Sequence, residues 1–147
     1  MKEQLTLEHL APYLPYGLKG VSIKENLGIE TVKGFSIYGR DNTVCLSTNV
    51  DDIDLVLFKP ILIPLSDLTK EIEVNGEKFV PMDKIKLLCN DESFSVNQKA
   101  EVVMYLDGSW ERPNNWTYEL MVLLFQWHFD IFNLIPQNLA IDINTLK

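Results

Sequence analysis

The sequence predicts a single α+β domain, residues 1–147, in which a small antiparallel sheet is covered by a long apolar C-terminal helix and flanked by short helices. Three observations predict this fold. Residues 18–58 have the pattern of short strands, with apolar and polar positions alternating in runs over residues 18–48. Asn75-Gly76 is a strong hairpin signal, and residues 116–132 are mostly apolar outside one polar stripe. A chain of 147 residues has the usual length of one domain, and a domain of that length buries about 68–70% of its unfolded surface.

The first of these segments has the pattern of half-buried strands. Val21 and Ile23 alternate with polar neighbours, and a longer run extends over residues 29–38. Short runs separated by polar turns favour an antiparallel meander. Gly34 interrupts the long run, which indicates a β-bulge or a close backbone contact. Residues 102–106 fit either a strand or a helix, of which we favour the strand, and a turn follows at residues 107–108.

The hairpin signal is the strongest local one. Asn75 and Gly76 both tolerate positive φ, so together they are the favoured centre of a type I′ turn. A two-residue loop here fixes the strand register and places an oppositely charged pair and an apolar pair across from each other: Glu73 with Lys78, and Ile72 with Phe79. Pro81 then suits the first position of a helix over residues 82–88.

Residues 116–132 predict the longest helix. At about 100° per residue, Glu119, Gln126 and Asp130 align in one narrow polar stripe. Nearly all other positions are apolar, and a helix of that kind is buried or shared with a partner. Residues 133–136 are expected to end it.

The charge and cysteine content exclude several classes of protein. The formal net charge is −8, from 21 acidic and 13 basic residues, whereas nucleic-acid binding usually needs a basic face. We therefore expect no direct nucleic-acid binding. Cys45 and Cys89 belong to no zinc-binding pattern. With no signal-peptide pattern and no membrane-length apolar run, the expected location is the cytoplasm, with both thiols free.

Motifs for catalysis and cofactor binding are absent from the sequence. No Walker A or GxGxxG pattern occurs, and no serine or cysteine lies in a nucleophile motif, so we expect no cofactor and consider an enzyme the less favoured class. His128 is the best single candidate, as a buried base or a pH switch. We favour the alternative that it is a neutral core histidine with one hydrogen bond.

Trp110, Arg112 and Trp116 form the first candidate interaction cluster. Exposed tryptophan and arginine are typical of interface hot spots, and their side chains could also stack on a sugar or a base. The alternative is that both tryptophans cover the core at the start of the predicted helix.

Asp51, Asp52 and Asp54 form the second candidate cluster. Closely spaced carboxylates could hold calcium, but the EF-hand pattern fails because Ile53 occupies a ligand position and the required glycine is missing. No metal is therefore expected, and the alternative is a solvated acidic loop that discourages edge pairing.

Several phrases along the chain resemble a family of small uncharacterised proteins found near prophage and mobile-element genes in gut anaerobes. They cover both ends and the middle of the chain: Leu10–Leu18, Pro64–Thr69, Trp127–Phe132 and Leu139–Asp142. The family has no assigned activity. The resemblance therefore implies a phage-related accessory protein and assigns no functional residue.

Three functional hypotheses follow. The leading one is a non-enzymatic accessory protein that acts by protein–protein interaction, with an unknown partner or a second copy of itself, because the predicted helix has more apolar surface than one sheet face needs. The second is an acidic mimic that blocks a host nucleic-acid-binding protein. The third is a small hydrolase with a site near His128.

Overall fold

The structure is a computed structural model that describes residues 4–23, 28–38, 41–46, 53–88, 93–99, 101–106 and 108–146. The chain groups into two compact units, the first formed by Met1–Leu62 with Phe132–Lys147 and the second by Ile63–Ile131.

The regular elements are short. The strands are β1 (Lys19–Ser22), β2 (Glu30–Tyr38), β3 (Asp41–Leu46), β4 (Ile53–Asp54), β5 (Phe58–Leu62), β6 (Ile72–Val74), β7 (Glu77–Phe79), β8 (Phe94–Val96), β9 (Val102–Leu106), β10 (Ser109–Glu111) and β11 (Ile141–Asp142). The α-helices are α1 (Leu7–Leu10), α2 (Pro81–Leu88) and α3 (Tyr118–Gln126). Short 3₁₀ helices span Ala11–Tyr16, Leu55–Leu57, Leu65–Thr69, Pro113–Asn115 and Ile143–Leu146.

The first unit is built on a six-stranded sheet in the order β11-β5-β1-β2-β3-β4. Strands β1 to β5 pair antiparallel with their neighbours, whereas β11 runs parallel to β5. The register of β2 against β3 shifts between Val32 and Gly34, and a Cβ at Gly34 would meet nothing within 4 Å, so of the two predictions for Gly34 the structure agrees with an irregularity of the bulge type and not with a close contact.

A close approach between β1 and β5 depends on Gly20, which lies opposite Pro60. A Cβ atom at Gly20 would collide with the ring of Phe58 and would lie 2.6 Å from the carbonyl oxygen of Lys59. Phe58 is 2% exposed, so its ring has little room to move away. Glycine is therefore required here to let the aromatic ring cover the β1 backbone.

The second unit contains the β6–β7 hairpin, a three-stranded sheet in the order β10-β9-β8, α2 and α3. Asn75 and Gly76 have φ of 53° and 83°. The register joins the residue pairs that the sequence predicts, Ile72 with Phe79 and Glu73 with Lys78. The predicted hairpin is confirmed, as are the helix that begins at Pro81 and the strand at Val102–Leu106.

Phe79 anchors this hairpin within the unit. Its ring centroid lies 5.1 Å from that of Trp127, and the Lys84 Nζ atom lies 4.0 Å above the Phe79 ring. Lys84 also forms an ion pair of 2.8 Å with Glu77. Contacts of this kind are needed because an isolated two-stranded hairpin is marginally stable in water.

The predicted arrangement, one small antiparallel sheet covered by a long apolar C-terminal helix, is wrong. The described chain is α+β, but its strands form three sheets, the largest of them mixed. The helix predicted over residues 116–132 is α3, which has nine residues and ends at Gln126.

The backbone at His128 explains why α3 ends early. His128 has φ of 65°, the left-handed conformation. Its N–H donates to the Phe125 carbonyl at 3.0 Å, and the Phe129 N–H donates to the Leu124 carbonyl at 2.9 Å. A left-handed residue with these two bonds is a Schellman motif. Glycine or asparagine usually holds that position, although histidine is enriched there relative to most residues.

After this reversal the chain pairs with the start of the unit. The Ile63 N–H donates to the His128 carbonyl at 2.8 Å, and the Asp130 N–H donates to the Ile63 carbonyl at 2.9 Å. These bonds form an isolated parallel bridge between Ile63 and Phe129. Phe129 has no exposed surface. Apolar side chains beyond Gln126 are therefore buried although the backbone that carries them is not helical.

Replacing Gly20 with alanine should lower the free energy of unfolding by about 1–3 kcal/mol, because the added methyl group forces the Phe58 ring to move. The matched control is Gly34→Ala, since a Cβ at Gly34 meets nothing within 4 Å. Urea denaturation of both variants tests this. Equal losses of stability would contradict the close approach at Gly20.

Replacing His128 with glycine and with valine separates the backbone role of this residue from its side-chain contacts. Both changes remove the imidazole, but only glycine accepts positive φ without strain. We expect His128→Val to be less stable than His128→Gly by about 1–2 kcal/mol in urea denaturation. Equal stability would mean that His128 does not adopt the left-handed conformation.

Candidate functional site

The candidate site lies on one face of the β10-β9-β8 sheet. Ser95 lies opposite Val103, and Tyr105 lies opposite Trp110. Because side chains alternate along a strand, every second residue belongs to the same face. We call this the aromatic face, and its residues are Ser95, Asn97, Glu101, Val103, Tyr105, Trp110 and Arg112.

Two aromatic rings give the face its name. Tyr105 is 50% exposed and Trp110 is 49% exposed. Their ring centroids lie 5.2 Å apart with an interplanar angle of 65°, an edge-to-face arrangement that aromatic pairs prefer. The two rings therefore support each other while each keeps about half of its surface accessible.

A polar network holds the end of the face beside these rings. The Asn97 Oδ1 atom accepts hydrogen bonds from the N–H groups of Lys99 and Glu101, both at 2.9 Å. Asn97 Nδ2 donates to Glu101 Oε1 at 3.3 Å, and the other carboxylate oxygen of Glu101 pairs with Arg112 at 2.5 Å. The network therefore places an arginine on the face, with 57% of its side chain exposed.

A small cavity lies among these side chains. It has a volume of about 240 Å³ and is lined by Ser95, Asn97, Val103, Trp110 and Arg112. We call it the pit. Val103, on the central strand, is 5% exposed and contributes the smallest apolar side chain of the face. Sites for drug-sized ligands have volumes of roughly 300–1,000 Å³, so the pit has room for a single side chain or a single small ring.

Trp116 does not belong to the aromatic face. It is 4% exposed, its Nε1–H donates to the Glu111 carbonyl at 2.9 Å, and its ring lies 5.4 Å from that of Phe94. The structure thus brings Trp110 and Arg112 together in the pit and gives Trp116 the core-covering role.

The acidic cluster is only partly within the described chain. Asp51 and Asp52 lie outside the described residues, and Asp54 lies in β4 opposite Thr43. Among the residues that the structure describes, no group of three or more His, Cys, Asp or Glu side chains could hold a metal ion.

His128 lies in the turn that ends α3, and not within the helix that the sequence predicts. It is partly buried and its backbone ends α3. The polar stripe of Glu119, Gln126 and Asp130 that the predicted helix implied does not form, because the helix stops at Gln126.

Tyr105, Asn97 and Glu101 are site residues that the sequence analysis missed. The signal for Tyr105 was present. A two-residue turn at residues 107–108 between two strands places Trp110 opposite Tyr105 by register alone. Asn97 carried no comparable signal, because its role depends on the conformation of the turn that it stabilises.

Replacing Asn97 with alanine should destabilise the protein by about 1 kcal/mol, because two backbone N–H groups lose their acceptor. Ser95→Ala is the matched control in the same segment and should change stability by less than about 0.5 kcal/mol. Thermal and urea denaturation measure both effects. A loss for Ser95→Ala as large as that for Asn97→Ala would contradict the role of the Asn97 network.

No protein-family model, curated protein or solved structure matches this chain. Within the described ranges, none of the helices combines the length and the apolar character that crossing a membrane requires.

Proposed function

We propose that this protein acts by binding another protein, without catalysis, as an accessory protein of a phage or mobile element. The phage or mobile-element origin rests only on the sequence phrases that resemble such a family. The binding activity rests on the aromatic face, and that argument is independent of the origin.

One observation carries the proposal, namely the joint exposure of Tyr105 and Trp110 beside Arg112. Each of these two rings is about half exposed. Aromatic side chains bury about 150–250 Å², so covering the remaining surface of both at about 25 cal/mol per Å² would contribute on the order of 5 kcal/mol. That gain is large enough to offset part of the cost of association.

The composition of the face also fits a protein interface. Tryptophan, tyrosine and arginine are the residue types most enriched among hot spots, where they are surrounded by contacts that exclude water. Here Ser95 and Asn97 border the rings as the polar rim, and Val103 is the apolar floor. The exposed edge strands β8 and β10 have only three residues each, so side chains rather than strand addition would dominate binding.

The proposed interface lies on the sheet and not on the C-terminal helix. A helix over residues 116–132 would offer a partner its second apolar face. In α3, however, Leu120, Leu124 and Phe125 are buried, and the strongly exposed apolar residue is Tyr118, at 81%. The exposed rings of the β10-β9-β8 sheet are therefore the better candidate surface for a partner.

Selection of binding peptides from a random displayed library tests this function. Among the peptides selected on the purified protein, we expect those that bind most tightly to lose at least tenfold in affinity for the Trp110→Ala and Arg112→Ala variants. Tyr118→Ser is the matched control, since it removes an aromatic ring that is even more exposed than Trp110 but lies outside the face, and it should leave binding unchanged.

Circular dichroism of each variant confirms that it is folded. Selected peptides that bind Trp110→Ala and wild type equally would contradict the proposed function.

A further inference from the structure

We propose that the pit receives one tyrosine side chain of the protein partner. This inference rests on the proposed function and adds to it the chemistry of the residue that is recognised. It is derived from the size of the pit, from the balance of charge on its rim and from the hydrogen-bonding capacity that its polar groups retain.

The shape of the pit favours one ring. Its volume is about 240 Å³, and its floor is the buried side chain of Val103. Trp110 forms one wall and offers an aromatic surface, against which a second ring packs in an offset or edge-to-face geometry. Arg112 also lines the pit, and its guanidinium can make a cation–π contact with an aromatic occupant.

The charge on the rim favours a neutral occupant. Arg112 is paired with Glu101 at 2.5 Å, so positive and negative charge lie side by side. A carboxylate that approached Arg112 would be repelled by Glu101, and an ammonium group that approached Glu101 would be repelled by Arg112. An uncharged side chain meets neither penalty.

The hydrogen-bonding capacity decides between a phenol and a sugar. Asn97 Oδ1 already accepts two backbone bonds, Asn97 Nδ2 donates to Glu101, and Arg112 pairs with the same carboxylate. Among the lining residues, the second Asn97 Nδ2–H, the Trp110 indole N–H and the remaining Arg112 N–H groups can donate to a ligand, whereas the Ser95 hydroxyl is the group that can also accept. One phenolic hydroxyl has a single proton, which Ser95 can accept. A sugar ring would bring several hydroxyl protons into the pit, and most of them would be desolvated without an acceptor.

The polar groups of the pit also favour tyrosine over phenylalanine. A phenyl ring would fill the pit but would cover the Ser95 hydroxyl and the Arg112 donors without bonding to them. The phenolic oxygen both donates and accepts, so it can bond to either group. The pit is thus matched to an aromatic ring with one neutral polar end.

Nuclear magnetic resonance with small probes tests this directly. The chain has three tryptophans, so the Trp110 indole signal can be assigned with Trp110→Phe. We titrate N-acetyl-L-tyrosinamide, N-acetyl-L-phenylalaninamide and methyl α-D-glucopyranoside.

The tyrosine probe should shift the Trp110 signal with a dissociation constant in the millimolar range, roughly the strength of a single anchoring group. The phenylalanine probe should bind at least threefold more weakly, and the sugar should cause no saturating shift.

Two variants locate the binding within the pit. Val103→Phe fills the pit from its floor and should abolish the shift caused by the tyrosine probe. Ser95→Ala removes only an exposed hydroxyl, so we expect the fold to remain intact. In this variant the tyrosine and phenylalanine probes should bind with about equal affinity. Tyr118→Ser is the control and should leave the titration unchanged.

Each contrary result overturns the inference. A stronger response to the sugar would mark the pit as a carbohydrate site, and equal binding of the two amino-acid probes would remove the role of the phenolic hydroxyl. No Trp110 shift with any probe would exclude occupation of the pit. Displayed peptides whose binding requires Trp110 but does not require a tyrosine of their own would overturn this inference alone. Peptides that bind wild type and Trp110→Ala equally well would overturn the proposed function.

Discussion

The architecture of the second unit depends on the reversal of the backbone at His128. Because His128 adopts positive φ, the chain leaves the helical path and Phe129 can form its bridge with Ile63, which joins the two ends of the unit. The same turn leaves Trp127 buried against Phe79, the residue that anchors the β6–β7 hairpin. One residue in an uncommon conformation therefore determines the length of α3 and the closure of the unit.

The sequence predicted the features that depend on neighbouring residues. The Asn75-Gly76 turn determines its own register, and Pro81 begins α2, because both effects act within a few residues. The sequence-based prediction was wrong where the same apolar residues can be buried either by a helix or by extended backbone. Trp127, Phe129 and Ile131 are buried at a spacing of two, but Trp127 and Ile131 also continue the helical spacing of Leu120 and Leu124. The apolar periodicity therefore predicted correctly that these residues are buried, but it predicted the wrong backbone conformation. The sequence has no glycine at the reversal that would have indicated the end of the helix.

Some residues of the candidate site could likewise be predicted from the sequence, and others only from the fold. Trp110 and Arg112 were recognised from their residue types, because exposed tryptophan and arginine are informative wherever they lie. Tyr105, Asn97 and Glu101 join them only through strand pairing and through the turn between β8 and β9. Trp116 is buried beside the Phe94 ring, and its indole N–H can be buried at little cost because it bonds to the Glu111 carbonyl. The pit itself arises from the contrast between the small Val103 and its larger neighbours, which composition alone does not reveal.

A nuclear Overhauser spectrum of the region from Tyr118 to Phe132 tests the central claim most directly. The account predicts helical contacts between each Hα proton and the amide proton three residues later as far as Gln126. It also predicts a strong contact between the His128 amide proton and its own Hα proton, and contacts across the bridge between Ile63 and Phe129. Uninterrupted helical contacts through Phe132, without contacts to Ile63, would contradict it.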